Sequence, residues 1–317
     1  MKTAYKIPLL LAVLICYAIT GFSQVIGKVE IANEKLRQFQ NIRDFCISRN
    51  NDEIYFTLQS PFQEISQILS MKKLNGKWSD PILMPFSDKF SDMEPFFSPD
   101  LTKLYFASNR PLNDTAQTAK DYDIWYIKRE NKNSPWSAPI NMGKPVNSKN
   151  DEFYPSVAAN NNLYFTSDAP GGIGKDDIYF CEYRSGAYQE AKLLASEINS
   201  SGYEFNAFIS KNEDFLIYTK YNSEGGLGSG DLYISKKDKD NRWSKAENMG
   251  NTINTKFMEY CPFYDEINET LYFTSKRNSI QPKKFESVAK LNQYLEESEN
   301  GNSRVYKVKV RLKGKND

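Results

Sequence analysis

The sequence predicts an all-β fold, a β-propeller of four-stranded antiparallel blades with five blades as the reading and six as the alternative, and three observations carry that prediction. First, a strand-like core recurs at Ile54-Tyr55-Phe56-Thr57, Leu104-Tyr105-Phe106-Ala107, Leu163-Tyr164-Phe165-Thr166, Leu216-Ile217-Tyr218-Thr219 and Leu271-Tyr272-Phe273-Thr274, with successive copies starting 50, 59, 53 and 55 residues apart. Such a period suits one four-stranded sheet per copy. Second, an acid stands 12 or 13 residues before the tyrosine or its equivalent in four copies, followed three residues later by Pro or Ala: Asp92 and Pro95, Glu152 and Pro155, Glu204 and Ala207, Glu259 and Pro262. Third, turn chemistry and a further Asp-initiated strand follow three of the cores, at Asp123-Ile124-Trp125, Asp177-Ile178-Tyr179 and Asp231-Leu232-Tyr233.

Residues 151–183 form the clearest copy. Tyr154 opens an extended run, the polar turn 160–162 makes a hairpin with the core strand, and Gly171, Gly172 and Gly174 permit a loop with positive φ before the strand from Asp177. A fourth strand is expected to begin at Trp78-Ser79, Trp136-Ser137 or Trp243-Ser244, with Tyr188 in place of Trp in the third copy.

From the N-terminus, Lys2 and Lys6 precede an apolar run over 7–19 and the small residues Gly21 and Ser23, so residues 1–23 read as a secretory signal peptide and 24–317 as a single propeller domain. A lipoprotein anchor at Cys16 is disfavoured by the bulky Ile15 before it and the apolar run after it. Removing the leader takes two of the 41 basic side chains and none of the 40 acidic ones, leaving one net negative charge and no argument for nucleic acid or an anionic membrane. No other stretch is long and apolar enough to span a bilayer, so the expected location is extracytoplasmic: periplasmic, outer-membrane associated or secreted. Cys46, Cys181 and Cys261 then remain, too few to staple a large domain, and read as small buried hydrophobes with free thiols.

Residues 24–40 are too short for a repeat, but 25–31 could be one strand. The last copy ends with a third strand over 304–312 and lacks a fourth, so the N-terminal strand is expected to complete it, closing the ring and covering an open edge. Between core and third strand, the last copy carries Phe285, Val288, Leu291 and Leu295 at helical spacing after Pro282, which predicts a short helix packed on the rim.

The acid followed by Pro, the Tyr-Phe-Thr-Ser core, Gly-Gly-x-Gly before Asp-Ile-Tyr, and Trp-Ser-x-Pro together resemble the WD-like β-propeller repeat of TolB-type proteins, over residues 41–312. The resemblance is greatest to envelope propellers of Gram-negative bacteria that accompany a peptidoglycan-binding OmpA-like domain, and no such domain follows the last copy here. TolB itself has six blades; the two unassigned segments are each shorter than about thirty residues, where a sixth blade needs about fifty. The resemblance implies a non-catalytic role outside the cytoplasm.

Several constellations invite sharper readings. Gly171-Gly172-Ile173-Gly174-Lys175-Asp176 lacks the Ser or Thr after Lys and the following helix that a phosphate loop needs. It matches a calcium-binding nonapeptide through Ile178, but that motif needs tandem copies, and the nearest relative at Gly225-Gly226 lies a blade away, leaving a glycine-rich loop as the reading. The acids Asp92, Glu152, Glu204 and Glu259 read either as an acidic collar at a channel mouth, suited to cations or a basic peptide, or as local acceptors fixing the turn into each blade; repetition favours the second. Asp123, Asp177 and Asp231 read as structural by the same logic, and the tryptophans as packing between blades rather than sugar platforms.

There is no histidine, which excludes Ser-His and Cys-His nucleophile activation and the commonest zinc sites. No cofactor or metal is implied. The expectation is a non-catalytic scaffold for an envelope or secreted protein partner; the alternative is a carbohydrate-active or carbohydrate-binding propeller, glycoside hydrolase-like or lyase-like, taking a glycan through paired carboxylates.

Overall fold

Five antiparallel sheets stand around one axis in the computed structural model, which describes residues 23–113, 118–297 and 299–312. In blades one to four, chain order is spatial order from the axis outward. Blade one comprises Ile42–Ile47, Glu53–Gln59, Ser66–Leu74 and Ile82–Leu83; blade two Asp92–Phe97, Lys103–Ser108, Asp123–Lys128 and Ile140–Asn141. Blade three comprises Glu152–Val157, Leu163–Ser167, Asp177–Cys181 and Lys192–Leu193; blade four Glu204–Ile209, Phe215–Tyr221, Gly230–Lys236 and Glu247–Asn248. The ring therefore has five blades, and the six-bladed alternative is set aside.

Blade five is closed from both ends of the chain. Glu259–Asp265, Thr270–Ser275 and Arg304–Leu312 supply three strands, and the outer edge is covered by Ser23–Val25 and Glu30–Ile31, both paired with Arg304–Leu312. The expected single strand is two short ones. Gly27 lies between them, where a Cβ would meet the Lys309 Cβ at 3.2 Å, a close approach that a larger residue could make only by pushing Lys309 aside.

The second strand of each blade is buried on both faces because it is sandwiched between neighbouring sheets. Tyr55, Tyr105 and Tyr164 and, on the opposite face, Phe56, Phe106, Phe165, Phe273 and, in the Phe place of blade four, Tyr218 are among the largest fully buried side chains. Blades one and two share a cluster of Tyr55, Phe97, Phe106 and Trp125, and blades three and four one of Tyr164, Ile178, Ile209 and Tyr218. Trp136 belongs to this packing: its indole N–H donates to the Tyr55 hydroxyl at 3.0 Å, and the Arg129 guanidinium lies 4.2 Å from its ring while pairing with Glu53 of blade one.

Two expectations need correction. The Trp-Ser pairs do not uniformly begin the outermost strands: Trp78 lies in a two-residue strand, Lys77–Trp78, that pairs with Leu74 and Lys73, but no strand starts at Trp136 or Trp243. Ser79, Ser137 and Ser244 each donate a backbone N–H to the third strand and accept one through the hydroxyl; the outermost pairing then resumes several residues later, at Ile82–Leu83, Ile140–Asn141 and Glu247–Asn248. Pro81 and Pro139 help interrupt the ladder in blades one and two, since proline has no N–H to give. The helix forms at Val288–Glu297, but none of its residues is buried and Val288 is 74% exposed. Polar contacts hold it instead: Arg304 donates to the Glu296 carbonyl and Asn300 to that of Leu295.

Candidate functional site

Each innermost strand carries a β-bulge two residues after its start, between Arg43 and Cys46, Met93 and Phe96, Phe153 and Ser156, Phe205 and Phe208, and Tyr260 and Phe263. The extra residue is left-handed in every blade: Asp44, Glu94, Tyr154, Asn206 and Cys261, with φ between 50° and 63°. A bulge re-aims a side chain that a regular pleat would send into the sheet packing. Here it brings two carboxylates, a phenol, a carboxamide and a thiol together in the middle of the ring.

Their contacts make one polar plug. Arg43 donates to Asp44 at 2.7 Å, to Glu94 at 2.8 Å and to the Cys261 sulfur at 3.4 Å. Glu94 also accepts the Tyr154 backbone N–H at 2.7 Å and the Asn206 side-chain amide at 3.3 Å. The Tyr154 hydroxyl crosses to the Pro262 carbonyl of blade five at 2.9 Å, and Cys261 donates to Asn206. All five left-handed residues are buried. Burial pushes the Glu94 carboxyl above its usual range, with Arg43 pulling the other way, and burial pushes the Cys261 thiol up as well.

The plug separates two concavities. On the side where the innermost strands begin, the residues just before the bulge, Arg43, Met93, Phe153, Phe205 and Tyr260, ring a mouth of about 360 Å³. Glu94 and Asn206 also line it, and Gln59, Tyr122, Thr166, Asp176 and Lys276 belong to its wall. The opposite mouth, about 280 Å³, is walled by Phe96, Phe208 and Phe263, whose rings lie 5.5–6.2 Å apart.

The four repeated acids stand at the head of the innermost strands, fully buried and turned to the preceding turn. Glu152 accepts from the backbone N–H and hydroxyl of Ser148, Glu204 from those of Ser200, and Glu259 from those of Thr255 and from Ser275. Asp92 instead takes both oxygens to Arg110 at 2.7 and 2.8 Å. Burial raises the Glu152 carboxyl from 4.5 to about 7 against its two hydrogen bonds, and raises those of Asp92 and Glu259. The side chains these acids introduce at the mouth are their successors, Met93, Phe153, Phe205 and Tyr260.

The third-strand aspartates organise loops. Asp177 accepts the Gly174 N–H through Oδ2 at 2.9 Å, and a Cβ on Gly172 would lie 2.0 Å from that same oxygen; Asp231 accepts from Leu227 and Asn248; Asp123 pairs with Lys120 and Asn141. The glycine-rich loop thus turns its amides onto its own aspartate. Asn147, Asn199 and Asn254, absent from the sequence expectations, each hold both backbone groups of one third-strand residue, Ile124, Ile178 and Leu232.

No protein-family model and no curated protein sequence matches the chain. Solved structures do. A glycoside hydrolase superposes with a TM-score of 0.54 at 8% identity, over 92% of either chain. An α-L-arabinofuranosidase from Podospora anserina, solved with cellotriose, gives 0.52 at 10% identity, over 89% of this chain and 94% of its own. A TolB candidate from Agrobacterium tumefaciens gives 0.49 at 11% identity, over 82% and 81%. At such identities, what the chain shares with the two hydrolases is the propeller fold alone.

Proposed function

We propose that the chain is a non-catalytic extracytoplasmic β-propeller, a scaffold whose faces and axial mouth bind partners in the cell envelope. The observation that supports this reading is that both axial carboxylates, Asp44 and Glu94, are held by one guanidinium, that of Arg43. Glycoside hydrolysis uses two carboxyl groups facing each other across a scissile bond, one of them free to give up a proton. Asp44 lies 2% exposed within the plug, and Glu94 is further occupied by an amide of Tyr154 and one of Asn206. Opening this site for acid catalysis leaves a buried Arg43 without counter-charge, which is costly.

The carbohydrate-active reading is favoured by a different observation: Glu94 has the raised pKa of a general acid, and it lines a mouth with aromatic walls at Phe153, Phe205 and Tyr260. Purified protein incubated with a panel of polysaccharides and aryl glycosides separates the two. No release of reducing ends or aglycone is expected. Turnover that Glu94→Gln abolishes overturns the scaffold reading in favour of the hydrolase.

A further inference from the structure

The axial mouth holds two charges that the plug does not consume. Lys276, just beyond the second strand of blade five, and Asp176, just before the third strand of blade three, both line it, and neither side chain has a hydrogen bond or ion pair among the described residues. Asp176 sits among like charges, with Asp151, Asp168 and Asp177 all acting on it unfavourably, so this side of the mouth carries a negative field that a bound cation relieves. Beside Lys276, Arg277 is already engaged with Glu259 and Glu299, leaving the ammonium of Lys276 as the cation this side offers. Phe153, Phe205, Tyr260, Met93 and Met258 form apolar wall between the two charges, while Gln59 and Thr166 add polar groups.

A single unpaired cation and a single unpaired anion on non-adjacent blades, with apolar wall between them, select a ligand carrying the opposite charge at each end and an apolar body. Charges on one α-carbon are too close together to serve two blades; two or three residues of chain, at up to about 3.3–3.6 Å each, span further. The cavity, about 360 Å³, lies at the small end of the roughly 300–1,000 Å³ usual for ligand pockets. We propose that the axial mouth binds a short zwitterionic peptide of two or three residues with apolar side chains, its carboxylate on Lys276 and its ammonium on Asp176. The peptide lies on the plug and needs no change in the Arg43 network. It goes beyond the scaffold reading by naming a small ligand for the mouth.

Isothermal titration of the whole chain with leucyl-phenylalanine, its N-acetyl form and its C-terminal amide tests this. Saturable binding of the free dipeptide is expected, with each blocked form at least tenfold weaker. Lys276→Met should make the amide bind as well as the free dipeptide, and Asp176→Asn should do the same for the acetylated form. Both positions are partly exposed, so these variants are expected to fold. The proposal is overturned by no saturable binding of the free dipeptide, by a blocked form that binds as well as the free one, or by variants that leave the discrimination intact. An acetylated form equal to the free dipeptide would point instead to the C-terminal tail of a protein. Failure here leaves the non-catalytic reading standing, since that reading falls only to glycoside turnover.

Discussion

Glu94 does the work of a missing hydroxyl. In blades one and three, Thr57 and Thr166 accept the backbone N–H of the left-handed residue of the next blade, Glu94 and Asn206, both at 3.1 Å. Blade two carries Ala107 at that place, and the N–H of Tyr154 goes to the Glu94 carboxylate. One side chain thus satisfies both a buried amide and a buried guanidinium. Glu94→Ala is expected to cost about 3–5 kcal/mol, the cost of leaving a buried charge without its partner. Urea denaturation of Glu94→Ala, Arg43→Met and the double variant should give a coupling above about 1 kcal/mol; additive effects would mean the two side chains act independently.

Buried carboxyls also set a pH dependence at the residue scale. A carboxyl whose folded pKa lies above its unfolded one binds its proton more tightly in the folded chain. The stability it contributes is present below the unfolded value and is lost as the pH rises through the folded one. Glu152 places that window between 4.5 and about 7, and Asp92, Glu94 and Glu259 shift in the same direction. The chain is therefore expected to be more stable near pH 5 than near pH 7.5, Glu152 alone contributing on the order of 2 kcal/mol. Glu152→Gln should narrow the gap in paired urea melts, and an unchanged gap would remove Glu152 from the account.

At the scale of the element, the third strands are fixed by side chains as much as by their ladders. Asn199 accepts the Ile178 N–H and donates to the carbonyls of Ile178 and Leu194, pinning the turn after the outermost strand against the strand inside it. Asn199→Ala strands buried backbone groups and should cost about 2–4 kcal/mol in urea melts, with Asn147→Ala and Asn254→Ala in the same range. These asparagines recur as Val146-Asn147-Ser148, Ile198-Asn199-Ser200 and Ile253-Asn254-Thr255, so the signal was in the sequence, although it falls in a stretch with no hydrophobic period to draw attention. The strands themselves were legible because both faces of the second strand are buried, so each copy keeps a run of large apolar and aromatic residues there, Tyr-Phe in blades one, two, three and five and Ile217-Tyr218 in blade four. The axial residues were not. Asp44, Glu94, Tyr154, Asn206 and Cys261 occupy equivalent places but keep no common residue type, and a period-2 reading of the strand carries no sign of the bulge that turns them inward. Helical spacing at Val288, Leu291 and Leu295 gave the helix, while periodicity specifies conformation and says nothing of how far a partner surface covers it, and none of its residues is buried.

Over the whole molecule, stability depends on the seam in blade five. Innermost strands touch their neighbours all the way round, including blade five against blade one, so the ring is continuous at the axis. At the rim, among the described residues, the two N-terminal strands cover Arg304–Leu312. Deleting residues 24–32 bares that edge, and a loss of cooperative melting temperature or the appearance of oligomers is expected by scanning calorimetry and size-exclusion chromatography. A monomer that melts as the parent does would show that the axis alone closes the ring.

The same seam imposes an order in time. Ser23–Val25 is among the first segments of the described chain to leave the ribosome and Arg304–Leu312 the last strand, yet each is the other's pairing partner. Four sheets can assemble as they emerge, each from neighbouring stretches of chain, while Ser23–Val25 must wait unpaired until Arg304–Leu312 has been made. Its burial is the most non-local step in the fold and carries the largest loop-closure entropy. A chain that stops before Arg304–Leu312 thus retains well-formed blades beside an exposed strand partner, the kind of species prone to association until that strand arrives.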